Sequence, residues 1–159
     1  NPLDLKEATP EVATVSLADV SWDIAPRTAD VAESAKGGQR LRAISLSAPV
    51  QGKTVSTLLG ELESSGAQPL LFALEPGKAL AFSKEALALD AKATPHKAME
   101  REDPSERWEA FRQRFAELGE QGSSEGTTGL RLVFASESLI YDFKLSMGEP
   151  EAVLHMERR

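Results

Sequence analysis

Leu139-Ile140-Tyr141-Asp142-Phe143-Lys144-Leu145-Ser146-Met147 is the stretch that decides the fold. Leu139, Tyr141, Phe143, Leu145 and Met147 alternate strictly with Ile140, Asp142, Lys144 and Ser146. A period of two places successive side chains on opposite faces, so this is a strand with one face on a core and a second, mostly polar face. Its neighbours have the same character. Leu130, Leu132 and Phe134 alternate upstream, and a turn around Ser136 to Ser138 joins the two strands into a hairpin. Downstream, Gly148-Glu149-Pro150 turns the chain into a last strand near Ala152 to Met156.

Before this hairpin stands the best helix start in the chain. Asp103-Pro104-Ser105-Glu106 supplies a capping acceptor, a proline at the first helical position and a glutamate at the third. Trp108, Phe111, Phe115 and Leu118 then recur at helical spacing and predict a buried stripe, ended by Gly119 and Gly122. Residues Gly122 to Gly129 read as a Gly/Ser/Thr loop.

The middle of the chain repeats this layout. Ile44, Leu46 and Ala48 alternate with Ser45 and Ser47 and predict a strand over Leu41 to Ala48. After Pro49 and Gly52, the spacing of Val55, Leu58, Leu59 and Leu62 predicts a helix, with Gly66 at a left-handed C-terminal cap. Leu70 to Leu74 and Ala79 to Phe82 flank Glu75-Pro76-Gly77-Lys78, a hairpin whose proline and glycine suit a type II turn. Residues Lys84 to Ala98 carry both signals: Leu87 and Leu89 alternate as in a strand, while the alanines support a helical turn. Residues 1–38 read as a poorly patterned N-terminal segment. It has one short strand at Val20, Trp22 and Ile24 and a polar connector from Arg27 to Gly38. Residues 39–159 form the core domain of two helix-then-hairpin units. The expected fold is α+β, two-layered, with a mainly antiparallel sheet and two helices packed on one face.

Composition narrows function by exclusion. Among 159 residues, 41% are hydrophobic and 27% charged, as in ordinary globular domains. There is no cysteine, which removes disulfide scaffolds, Cys-ligated zinc and cysteine nucleophiles. The net charge of -7 repels phosphate backbones, so no nucleic acid is expected as partner. No apolar run reaches the ~18 residues of a membrane helix. The chain opens Asn1-Pro2-Leu3-Asp4 without methionine. A cleaved signal, an upstream membrane anchor or excision of the domain from a longer chain would each leave this start, and the expected setting is a bacterial exported, periplasmic protein, with a cytoplasmic setting as the alternative.

Two motifs imitate catalytic ones and lack their context. Gly122-Ser123-Ser124-Glu125-Gly126 matches a nucleophile elbow, which needs a strand before and a helix after; here the order is reversed. Gly52-Lys53-Thr54 ends like a phosphate-binding loop, but Ser47 occupies the place of its first glycine. His96 and His155 share no metal-site spacing and read as solvent-facing or edge residues. No catalytic, cofactor-binding or metal-ligating residue is therefore assigned.

What remains is charge. From Glu100 to Glu125 eight acids face four arginines, a local net of -4, on and around the best-capped helix. A solvated helix face laced by pairs such as Asp103 with Arg107 explains much of it. The sharper reading is a docking surface for a basic protein, carried by Glu100, Glu102, Glu106, Glu109, Glu117 and, as an aromatic anchor, Trp22. The expected function is a non-enzymatic protein–protein interaction domain, as an envelope or secretion assembly module or as an acidic inhibitor of the immunity type. The alternative is a small-molecule-binding or enzymatic domain with a pocket between sheet and helices.

Overall fold

The computed structural model describes residues 14–17, 20–24, 30–33, 39–49, 52–75, 79–100, 103–121, 129–146 and 151–159, of which 14–17, 20–24, 30–33, 39–42, 52–54, 118–121 and 151 are described by backbone alone. In chain order the elements are β1 (Thr14–Leu17), β2 (Val20–Ile24), β3 (Asp30–Glu33), β4 (Gln39–Pro49), α1 (Gly52–Ser64), β5 (Gln68–Glu75), β6 (Ala79–Ala81) and α2 (Lys84–Leu89). There follow β7 (Thr94–Pro95), a 3₁₀ turn (Lys97–Glu100), α3 (Pro104–Gln121), β8 (Gly129–Ala135), β9 (Leu139–Ser146) and β10 (Glu151–Arg158).

All strands join one sheet in the order β1-β2-β4-β10-β9-β8-β5-β6-β7, with β3 also paired to β4. Every pairing is antiparallel except β6 with β7. β8, β9 and β10 form a meander, and β10 closes against β4 from the far end of the chain, placing Leu154 opposite both Leu46 and Phe143. The fold is the expected α+β two-layer arrangement, with α1 leading into the β5–β6 hairpin and α3 into β8–β9.

The alternation in β9 sorts its residues as the period of two demands: Leu139, Tyr141 and Phe143 are buried, while Ile140, Asp142 and Lys144 are not fully so. Their buried face meets Val55, Leu58, Leu59 and Leu62 of α1 and Trp108 and Phe111 of α3 in one apolar cluster. At α1's end Gly66 has φ +85°, its N–H donates to Glu63 O at 3.2 Å, and Ala67 N–H donates to Leu62 O at 3.0 Å. This is the Schellman pattern, and only glycine enters that backbone region without steric cost.

Three expectations change. β3 lies inside the stretch predicted as a connector; it pairs with β4 through main-chain bonds, which need no apolar alternation. Over residues 84–98 the helical alternative holds where Leu87 and Leu89 alternate, as α2, and the short strand β7 follows at Thr94–Pro95, outside that alternation; Ser83 Oγ caps α2 by accepting from Glu85 N–H at 3.3 Å. α3 runs through Gly119 to Gln121, because one glycine in a helix costs only ~1 kcal/mol. The predicted turns at residues 76–78 and 148–150, and residues 122–128 with their elbow-like motif, lie outside the described residues.

Candidate interaction site

The orientation of α3 follows from its cap and its aromatic face. Asp103 Oδ1 accepts from the Ser105 N–H at 2.9 Å and from its hydroxyl at 2.8 Å. These bonds hold the Asp103 carboxyl below its ordinary range and start the helix at Pro104. Five residues on, the buried Trp108 Nε1 donates to Ala67 O at 2.9 Å, tying α3 to the segment that follows α1. Trp108 stacks on Phe134 with centroids 5.6 Å apart, and Phe111 meets Phe72, Phe82 and Phe134 edge-on at 5.7, 5.3 and 5.2 Å. These rings pack between the helices and the sheet.

With that face buried, the opposite one is determined. At 100° per residue Glu106, Glu109, Gln113 and Glu117 fall within one outward wedge of α3. They span about 16 Å along its axis. Glu106 and Glu109 are exposed, while Glu117 is half-exposed and paired with Arg114 at 3.1 Å. Arg112 pairs with Glu63 of α1 and lies 5.6 Å from the Trp108 ring centroid. The structure thus aligns three of the predicted carboxylates. Glu100 is exposed at the end of the 3₁₀ turn before the helix, and Glu102 lies outside the described residues. Trp22 falls in β2 opposite Val15, its side chain outside the description. The expected Asp103–Arg107 pairing gives way to local bonding. Ser105 engages Asp103, Arg107 exerts only the weakest effect on it, and Arg107 Nη2 reaches Gln68 Oε1 at 3.5 Å.

The face of the sheet away from α1 and α3 holds groups that the sequence left unassembled. Register aligns Ser45, His155, Asp142 and Val133 in one row across β4, β10, β9 and β8. The adjacent row holds Ser47, Val153, Lys144 and Arg131. His155 is therefore not on an edge. Its Nδ1 lies 2.8 Å from Ser45 Oγ and its Nε2 3.8 Å from Glu157 Oε2. Arg131 donates to Asp142 through Nε at 3.1 Å and Nη2 at 2.8 Å, a two-point pair that raises the Arg131 pKa. Serine, imidazole and carboxylate in line invite comparison with a hydrolytic triad. Main-chain N–H groups of a ladder lie in the sheet plane, however, and do not point at a nucleophile standing up from it. The bonds that the described residues make in and beside the row run across strands, Ser45 with His155 and Arg131 with Asp142.

His96 directly follows β7, the terminal strand of the sheet, and is half-buried there. It stacks on buried Phe82 at 4.7 Å, its main-chain N–H donates to Ala81 O at 2.8 Å, and its Nδ1 accepts from Ala98 N–H at 3.0 Å. Burial, then the charges of Arg114 and Lys97, lower its pKa. Among the described residues, one open depression lies beside His96, Lys97, Met99 and Glu100, and another among Gln68, Ser83, Glu85, Arg107, Ser136 and Arg159. Among the described residues no cluster of His, Asp or Glu could hold a metal ion, and no helix is long and apolar enough to cross a membrane. Compared with known proteins, the chain matches no family model, no curated protein and no solved structure.

Proposed function

We propose that this chain is a non-enzymatic protein–protein interaction domain of a bacterial exported protein, and that it engages a basic protein partner through the outer stripe of α3. The observation that carries this reading is the alignment of Glu106, Glu109 and Glu117 directly opposite the aromatic stripe that anchors the helix. A rigidly presented row of like charge raises the encounter rate with an oppositely charged surface and orders its approach. The partner is a protein and not nucleic acid, since the same carboxylates and a net charge of -7 repel phosphates. Of the two settings, an acidic inhibitor of the immunity type fits a charged blocking face better than an envelope or secretion assembly module does. A periplasmic location accords with the absence of cysteine.

The test is capture and titration with wild type and with a Glu106→Lys, Glu109→Lys, Glu117→Lys variant. Wild type should retain one dominant basic protein, with affinity falling steeply as salt rises from about 50 to 200 mM. The variant should bind at least tenfold more weakly at unchanged melting temperature. Equal binding by both proteins, or affinity indifferent to salt, would overturn the reading.

A further inference from the structure

At the β7 end of the sheet the chain passes from strand to 3₁₀ turn, and one histidine holds that passage. β7 pairs in parallel with β6, Leu80 opposite Thr94 and Ala81 opposite Pro95, and both of its residues are exposed. Proline has no N–H to give the ladder. Attachment therefore falls largely to His96. Its main-chain N–H donates to Ala81 O at 2.8 Å, and its carbonyl accepts from Met99 N–H at 3.0 Å. Its Nδ1 accepts from Ala98 N–H at 3.0 Å, so the side chain caps the turn it opens. The ring also lies on Phe82, with centroids 4.7 Å apart and planes 22° from parallel. Phe82 is fully buried in the main apolar cluster, and the half-buried imidazole is part of its cover.

We infer that residues 94–100 are an acid-sensitive latch, closed by neutral His96 and released from the β6 edge when the imidazole takes a proton. The reason is the direction of one bond. Nδ1 accepts from a main-chain N–H, so it is the unprotonated nitrogen and the ring proton sits on Nε2. A second proton has only Nδ1 to go to. There it sets N–H against N–H, and the cap to Ala98 is lost. The charged ring is also poorly solvated against a buried phenylalanine.

The surrounding charges act in the same sense. Lys97 of the turn and Arg114 of α3 oppose a positive imidazole, Glu117 of α3 favours one, and burial outweighs all three. The alanines and leucine of β6 contribute no charge. Glu100, with His96, Lys97 and Met99, lines the open depression beside the ring, which gives the imidazolium water to turn into. Release uncovers one face of Phe82 and returns the Ala81 carbonyl to solvent. The Asp103 cap and the Trp108 bond to Ala67 lie outside the latch, so α3 stays docked. No part of this depends on the proposed partner.

Nuclear magnetic resonance of the full chain from about pH 7.5 to 5 tests it. Above the His96 midpoint the ring nitrogen shifts should show the Nε2–H tautomer. As His96 titrates, exchange protection of the Ala98 amide, corrected for the intrinsic effect of pH, should fall about tenfold or more while amides of the central strand β9 keep theirs. In His96→Asn the side-chain oxygen accepts from the N–H two residues on at every pH, so Ala98 should stay protected throughout. His96→Ala should leave Ala98 unprotected even at pH 7.5. Ala98 protection unchanged through the titration overturns the inference, as does an Nδ1–H tautomer. So do parallel losses at Ala98 and in β9, which mean global unfolding, and a His96→Asn variant that opens in acid as wild type does.

Discussion

Replacing Trp108 by phenylalanine tests how α3 is held, and hence how its carboxylates are aimed. The indole N–H donates to Ala67 O at 2.9 Å, with Ala67 fully buried and Trp108 2% exposed. Phenylalanine keeps a ring against Phe134 but removes the donor, and a buried carbonyl left without its partner costs about 1–3 kcal/mol. The guanidinium of Arg112, 5.6 Å from the ring centroid, adds about 0.5 kcal/mol at so exposed a position. Together these give a loss of about 2–3 kcal/mol. For a chain of this length each kcal/mol moves the melting temperature by about 2–4 °C, so a fall of roughly 4–12 °C is expected. Trp108→Ala, which also empties the ring's volume, should cost about 3–5 kcal/mol. Urea unfolding followed by circular dichroism measures both. Trp22, the other of two tryptophans, supplies a fluorescence signal in the variant. A loss below about 0.5 kcal/mol for Trp108→Phe would refute the hydrogen bond as the anchor and leave ring packing alone to orient the helix.

Two further outcomes follow from the polar groups. The folded pKa of His96 lies below its ordinary 6.5, so between the two values the unfolded chain binds more protons. The stability due to neutral His96 is therefore complete above about pH 6.5 and is lost as pH falls toward the folded value. Melting curves from pH 7.5 to 5 should show His96→Gln less acid-sensitive than wild type, and parallel curves would sink the assignment. Asp142→Asn should destabilise by about 1–2 kcal/mol, because it leaves the Arg131 guanidinium, only 24% exposed, without its carboxylate. An apolar double replacement, Arg131→Met with Asp142→Leu, should lose less than the two single changes summed, as a double-mutant cycle would show.

What could be read from the sequence was whatever local periodicity and capping chemistry encode. Strand β9 declares itself because its buried and open faces differ residue by residue, and α3 because Asp103-Pro104 and the Trp108–Phe111 stripe are contiguous signals. Strand β3 was hidden for the opposite reason. Asp30–Glu33 bonds to β4 through its backbone, and nothing in a polar edge segment marks that. Helix α2, six residues long, is too short to display a period. The candidate acidic stripe was legible in composition, but that Glu106, Glu109 and Glu117 align while Arg112 turns toward Glu63 depends on which face Trp108 buries. The row Ser45–His155–Asp142 was not legible at all. Ser45 and His155 stand 110 residues apart and meet because β10 inserts between β4 and β9. Nothing near either residue specifies that pairing.

That insertion also sets how the two faces of the sheet differ. A sheet needs one face dry, and α1 and α3 supply that, leaving α3's outer side as charged as its composition permits. Among the described residues the second face is dried at the β5–β6–β8 end, where Ala86, Leu87, Ala93 and Met99 pack on it. Where β10 runs between β4 and β9, the residues that would otherwise leave unsatisfied groups are bonded across strands instead, serine to histidine and arginine to aspartate. On the helix side the outer charge of α3 is met in part locally, Glu117 by Arg114 at 3.1 Å, whereas on the sheet side hydroxyl and imidazole, and guanidinium and carboxylate, meet across strands.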